Sequence, residues 1–312
     1  MSTNTLGGPV PSGVRTNADR LVEIGVLGHV VQPQADESPR VDKDGRPFFL
    51  PSTGGITRNV LVGDSAVGWC GDHIEPGVSL VYASDRAPRR TRTSLMFLAC
   101  CGNRAVVMSG DAKGSVGTVT GMHGGINHVL VDFPVDVMNR MCIDDKVQVW
   151  SMGQGLRLLD LPDVHVMNLD PGLLSLMRMR IDRGQLCVPV RAVFTSAAMG
   201  SGIGSSTSYD GDCDIVTSQP VSADQGTAQN LCLGDLVAIP DHDARWGRTN
   251  RPGITTIGVV VHADSIIAGH GPGVTALMSA PSERFVPEVS ESANIARYLK
   301  IGRYRPSLQE PE

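Results

Sequence analysis

Residues 106–133 read VVMSGDAKGSVGTVTGMHGGINHVLVDF, and no other stretch constrains the fold as much. Gly110, Gly114, Gly117, Gly121, Gly124 and Gly125 interrupt it every few positions. Each glycine inside a helix costs about 1 kcal/mol relative to alanine. The segments between them are rich in valine and threonine, which suit a pleated surface. A helix is therefore excluded here, and three short strands joined by tight turns are expected. The same punctuation runs through the whole chain, with 36 glycines and 20 prolines in 312 residues. It favours many short strands over long helices. Aromatic residues make up only 4%, so the core must be built from Val, Ile, Leu, Met and Ala.

The spacing within 106–133 resembles the KOW motif of small SH3-like β-barrels, in which glycines permit tight positive-φ turns. KOW barrels often bind RNA. The resemblance implies the barrel geometry here and not the RNA, because surrounding Lys and Arg are missing. A net charge of -5 and a pI near 5.9 also oppose a nucleic-acid surface. The basic run RAPRRTR at residues 86–92 reads as a solvated loop.

Residues 1–14 are rich in Ser, Thr, Gly and Pro and read as a disordered tail. Strands are expected near 21–31, 56–62, 78–83, 146–150, 186–193, 254–263 and 273–279. Residues 95–99 and 104–108 read as a hairpin. Asp170-Pro171 starts a short helix, with Asp170 as its N-cap, and residues 294–299 form another. The predicted architecture is mainly β (α+β): two β-barrel-like domains, residues 15–165 and 166–302, followed by a tail at 303–312. The seven cysteines form no CxxC pair, which suggests reduced thiols. No signal peptide or membrane-length apolar run is evident. A cytoplasmic location follows as an expectation.

Histidine and carboxylate residues gather in the loops. Residues 68–80, GWCGDHIEPGVSL, place Asp72, His73 and Glu75 within four positions. In an extended chain His73 and Glu75 point the same way, as metal ligands or as an imidazole with its orienting carboxylate. A capped turn with a satisfied histidine is the plainer reading. Residues 268–278, AGHGPGVTALM, echo this loop with His270, which favours function. His123 and His128 flank Gly124-Gly125 and could face each other on neighbouring strands, with Asn127 adding an amide. Asp241 and Asp243 share one face of an extended chain and could bind a hard cation. His242 sits between them, and His262 follows. The loop MGSGIGSS at residues 199–206 offers backbone N–H groups to an oxyanion through Gly200, Gly202 and Gly204. Ser201 and Ser205 lie in it, although no Walker, Rossmann or GxSxG pattern is spelled. A flexible lid explains it equally. Asp210, Asp212 and Asp214 alternate after it, like an acidic strand edge. Asn59 is a further substrate-binding candidate.

These stretches carry a family resemblance: DHIEPGV, the block MSGDAKG…VTG…HGG…NHVLV, the MGSGIGSS loop and the end LGDLVAIPDHD…GVVVH…AGHGPGV. The chain resembles the bacterial family known as domain of unknown function 4438. The likeness runs from about residue 15 to 299. It implies a β-rich cytosolic protein and assigns no reaction.

The residues themselves point to a metal-dependent enzyme, a hydrolase of an amide or a small cyclic C–N bond. His73, His123, His128, Asp241, Asp243, His262 and His270 form the pool of ligands for a divalent cation. Asp72, His73, Glu75, His242 and Ser201 are the catalytic candidates. Two alternatives stand beside it. One is a metal-free His/carboxylate lyase or isomerase. The other is a non-catalytic small-molecule-binding or assembly protein. The expected partners are a small-molecule substrate and further copies of the chain in a homo-oligomer, with no nucleic acid and no membrane. A shared concave pocket would favour the enzyme, and dispersed surface loops the assembly protein.

Overall fold

The structure is a computed structural model that describes residues 13–34, 39–82, 94–202, 207–217 and 228–306. Most of the predicted N-terminal tail, the basic run 86–92, and the candidates Gly204 and Ser205 lie outside the described residues.

The first half closes into a barrel. Ile24–Val30 pairs antiparallel with Lys146–Ser151, which pairs with Arg104–Val107. Val116–His123, His128–Asp132 and Gly77–Val81 follow in turn. Gly77–Val81 then returns to Ile24–Val30 through His29 opposite Val81 and Val30 opposite Leu80. Six strands thus form a ring, and closure removes the free edges that an open sheet would expose. The glycine-punctuated stretch supplies three of these strands in succession. Period-two patterning fills the interior: in Lys146–Ser151, Val147 and Val149 are buried while Lys146 and Gln148 are not. Val26, Leu80, Val107, Val119, Val129 and Val131 join them in one apolar cluster. Each such residue contributes about 1.5–3 kcal/mol when fully buried.

The expected hairpin strand at 95–99 is instead the helix Ser94–Leu98. SLMFL contains no β-branched residue, and Leu and Met are good helix formers. Leu95 and Met96 are buried in the barrel's apolar cluster. The strand expected at 56–62 shrinks to Ile56–Thr57.

The second half has two sheets. The larger runs in the order His165–Val166, Gly273–Pro281, Thr249–His262, Leu236–Asp243 and Ala192–Val193, with Cys213–Asp214 also paired to Gly273–Pro281. The smaller joins Arg180–Asp182, Gln185–Val190 and Phe285–Val289. Leu186, Val188, Leu236, Ile257, Leu277 and Phe285 form their common core. Both predicted helices are present. Asp170 caps Pro171–Leu176 by accepting from the Gly172 and Leu173 amides, and Asn294 caps Ile295–Leu299 through the Ala296 amide. Among the described residues no helix is long and apolar enough to cross a membrane.

The halves meet along a seam that sets up the site. From Ile254 onward the strand Thr249–His262 is buried at every position, as expected of a strand covered on both faces. The barrel strand Val116–His123 crosses it. There a Cβ on Gly121 would lie 2.1 Å from Val261 Cγ1, so only glycine allows the approach. The Thr275 hydroxyl donates to Met122 O at 2.9 Å and accepts from the Met122 amide at 3.2 Å. This crossing leaves His123 and His262 adjacent, with ring centroids 4.0 Å apart.

Candidate metal centre

Four histidines from distant parts of the chain converge on Asp212 and Asp214. Two sets of three can each surround one point, with donor atoms within 4.8 Å of one another: His123, Asp212 and His262, and His73, Asp214 and His270. They line one end of a cleft of about 580 Å³, behind which His262 is wholly buried.

Three of the four rings are held by an acceptor on the far side. His262 Nδ1 lies 2.8 Å from Ala263 O. A carbonyl only accepts, so Nδ1 carries a proton and Nε2 faces the carboxylates of Asp212 and Asp214. His123 Nδ1 lies 2.6 Å from Glu75 Oε1, and His73 Nδ1 lies 3.0 Å from Asp72 Oδ2. Carboxylate–histidine and carbonyl–histidine pairs of this kind fix the tautomer of metal-ligating rings. Asp72 is fixed in turn by the Ser265 hydroxyl at 2.7 Å, and Asp212 Oδ1 by the Gly124 amide at 2.7 Å.

The inward-facing atoms meet one another. His262 Nε2 and Asp212 Oδ2 are both buried and pair at 2.8 Å, with Asp214 Oδ1 3.6 Å from the same nitrogen. A Cβ built on Gly273 would sit 2.1 Å from both atoms. The same point lies 2.3 Å from His262 Cδ2, so only glycine lets the strand pass this close to the pair. Pairing explains why this glycine is here, since Gly273 lies opposite both His262 and Asp214 in the sheet.

Electrostatics follow from the same contacts. Burial would raise the carboxyl of Glu75, but the His123 and His128 rings hold it well below the usual range. Asp214 is likewise held low against burial by His262, His270 and His73. Burial alone would discharge His262, but Asp212 and Asp214 raise its pKa. His123 is pushed down, chiefly by burial and then by His262. A neutral ring is the form that ligates a metal, so His123 is ready and His262 would release its Nε2 proton to one.

Several predicted residues do other work. His73 and Glu75 do not converge, because His73 adopts a left-handed φ of 52°. That conformation is uncommon for a residue with a side chain, and it turns Glu75 away to support His123. His128 is a support as well: its Nδ1 faces both Glu75 oxygens at 3.1 and 3.0 Å. Asp72 orients His73 rather than reaching the cleft centre. Ser201 and Gly202 line the cleft. The amides of Gly200 and Ser201 are already given to Asp214 O and Gly269 O, so they cannot serve an oxyanion. Asn127 is exposed at the tip of the turn, and Asn59 is exposed beside a second cleft.

Asp241, His242 and Asp243 are not part of the centre. A bulge between Pro240 and His242, with φ 58° at Asp241, breaks the alternation that would have put the two carboxylates on one face. Asp241 is exposed and accepts from the Gly253 amide. Asp243 is buried against Arg245 and Arg251 at 3.0 and 3.1 Å. His242 is buried on Thr256 Oγ1 at 3.1 Å. Burial pushes its pKa from 6.5 down to about 4, against the pull of Asp243. The unfolded chain therefore binds the extra proton between those values, and stability should fall as pH drops through 6.5, with the loss complete near 4. The expected loss is about 3 kcal/mol. Denaturant melts of wild type and His242→Gln across this window should show the slope flattened in the variant.

Asp212 and Asp214, the carboxylates of the centre, were legible only as an alternating acidic edge. Arg40 and Arg248, which also line the cleft, carried no sequence signal of their own.

Two family models match the chain: Domain of unknown function (DUF4438), N-terminal, over residues 39–175, and Domain of unknown function (DUF4438), C-terminal, over residues 176–299. The crystal structure of TM1086 is similar at 48% sequence identity and a TM-score of 0.85, covering 91% of this chain and 98% of that one. Curated proteins give no match.

Proposed function

The chain belongs to the DUF4438 family, and from that premise we propose that it is a divalent-metal-dependent hydrolase of an amide or a small cyclic C–N bond. The observation that carries the reading is the convergence of three buried side chains, His123, Asp212 and His262, whose donor atoms lie within 4.8 Å of one another. His123, Asp212 and His262 would hold it. A divalent ion bound there supplies Lewis acidity and an activated water at neutral pH.

The chain's own groups do the rest. Glu75, Asp72 and Ala263 O keep the three rings in the ligating tautomer. The Gly124 amide fixes Asp212, so only Oδ2 of that carboxylate faces inward. The cleft volume suits a small molecule. Arg40 and Arg248 bring positive charge to its wall, suited to a carbonyl oxygen as negative charge develops on it. The convergence of distant loops on one concave site supports an enzyme over an assembly subunit.

The direct test is metal analysis of the purified protein, followed by an assay on amides and cyclic amides. A stoichiometric divalent ion is expected, together with C–N cleavage that chelator abolishes and added ion restores. Absence of any bound ion, with no effect of chelator, removes the proposal. Turnover that survives chelator but is lost in His73→Ala supports the metal-free lyase or isomerase instead.

A further inference from the structure

We propose that the centre holds two divalent cations at unequal sites, bridged by the carboxylate of Asp214. The proposal rests on the metal reading above and deepens it.

The described donors fall into two sets rather than one. A single cation reaches ligands only about 2.0–2.2 Å away, so donors around it lie within about twice that of each other. His73 Nε2 and His270 Nδ1 lie 3.0 Å apart and form the second set with Asp214. Asp214 faces both sets: Oδ1 lies 3.6 Å from His262 Nε2, and Oδ2 lies 3.1 Å from His270 Nδ1 and 3.6 Å from His73 Nε2. The strand explains this placement. Asp212 and Asp214 are two apart, and Asp214 pairs with Gly273, which also faces His262.

The sites differ in access. His123, Asp212 and His262 are all buried, and the inner ion is expected to bind tightly and exchange slowly. The side chain of His270 is 33% exposed, so the outer ion should exchange readily and keep a position open to the cleft. Two ions on one carboxylate suit a bridged water between them, the arrangement two-metal hydrolases use.

The test uses full-length protein stripped with chelator and titrated with Mn²⁺. Wild type should take up two ions per chain in two separable steps. Its electron paramagnetic resonance spectrum should show exchange coupling at two equivalents and none at one. His270→Gln should retain wild-type circular dichroism, bind one ion with near-wild-type affinity, and lose the coupling. Asp214→Asn should weaken the outer site at least about 10-fold and abolish coupling. Saturation of wild type at one ion overturns this proposal while leaving the hydrolase reading intact. Two uncoupled ions reject the bridge. No binding at all overturns both.

Discussion

Gly273→Ala should keep the proposed inner cation from binding while the fold survives. The added methyl would lie 2.1 Å from His262 Nε2 and 2.1 Å from Asp212 Oδ2. It would force both ligands out of position and contribute no donor of its own. Ion content should drop by one per chain, with affinity at that site down at least about 100-fold. Overpacking costs about 1–3 kcal/mol, which lowers the melting temperature by several degrees. The diagnostic is the response to chelator. Wild type should melt lower once stripped, whereas the variant should melt at one temperature in either state. Full metal content in Gly273→Ala would show that His262 and Asp212 are not the ligands of the inner ion.

Glu75→Gln should be the most destabilising single change around the centre. The carboxylate is fully buried and accepts from His123, His128, the Gly54 amide and the Ser79 hydroxyl. An amide of the same shape presents two hydrogens to a site lined with donors. Removing one partner of a buried charged pair costs about 3–5 kcal/mol. In a protein of this size that is a melting shift on the order of 10 °C. Because the pKa of Glu75 is depressed in the folded state, its contribution is present above the ordinary carboxylate range and lost as pH falls below it. The gap between wild type and variant should thus narrow in strong acid. Metal affinity should fall about 10–100-fold, since His123 loses its orienting acceptor. Thermal melts over pH and metal titration read both effects, and equal stability at pH 7 would contradict this account of Glu75.

Local chemistry made much of the fold readable in advance. Glycine spacing marked the three consecutive barrel strands, and Asp170-Pro171 and Asn294 marked two helix starts by capping. The helix Ser94–Leu98 was missed because a five-residue apolar run has no period long enough to decide. The site was half legible for a related reason. His73, His123, His262 and His270 stood out as imidazoles beside turns. Their partners did not, because Cys213–Asp214 becomes a strand only through pairing with Gly273 and Val274, sixty residues away. Nothing near it in sequence announces that contact. Asp241 and Asp243 showed the same alternation as Asp212 and Asp214. Only the bulge at Pro240 separates the pair that fails from the pair that converges.

Each set of donors draws one imidazole from before residue 175 and its carboxylate and second imidazole from after residue 176. A nascent chain therefore owns no finished coordination sphere until its last long strands have been made and docked against the barrel. In the proposed reading, hydrolytic competence is the final property the molecule acquires during synthesis, and a prematurely truncated copy has none to misuse.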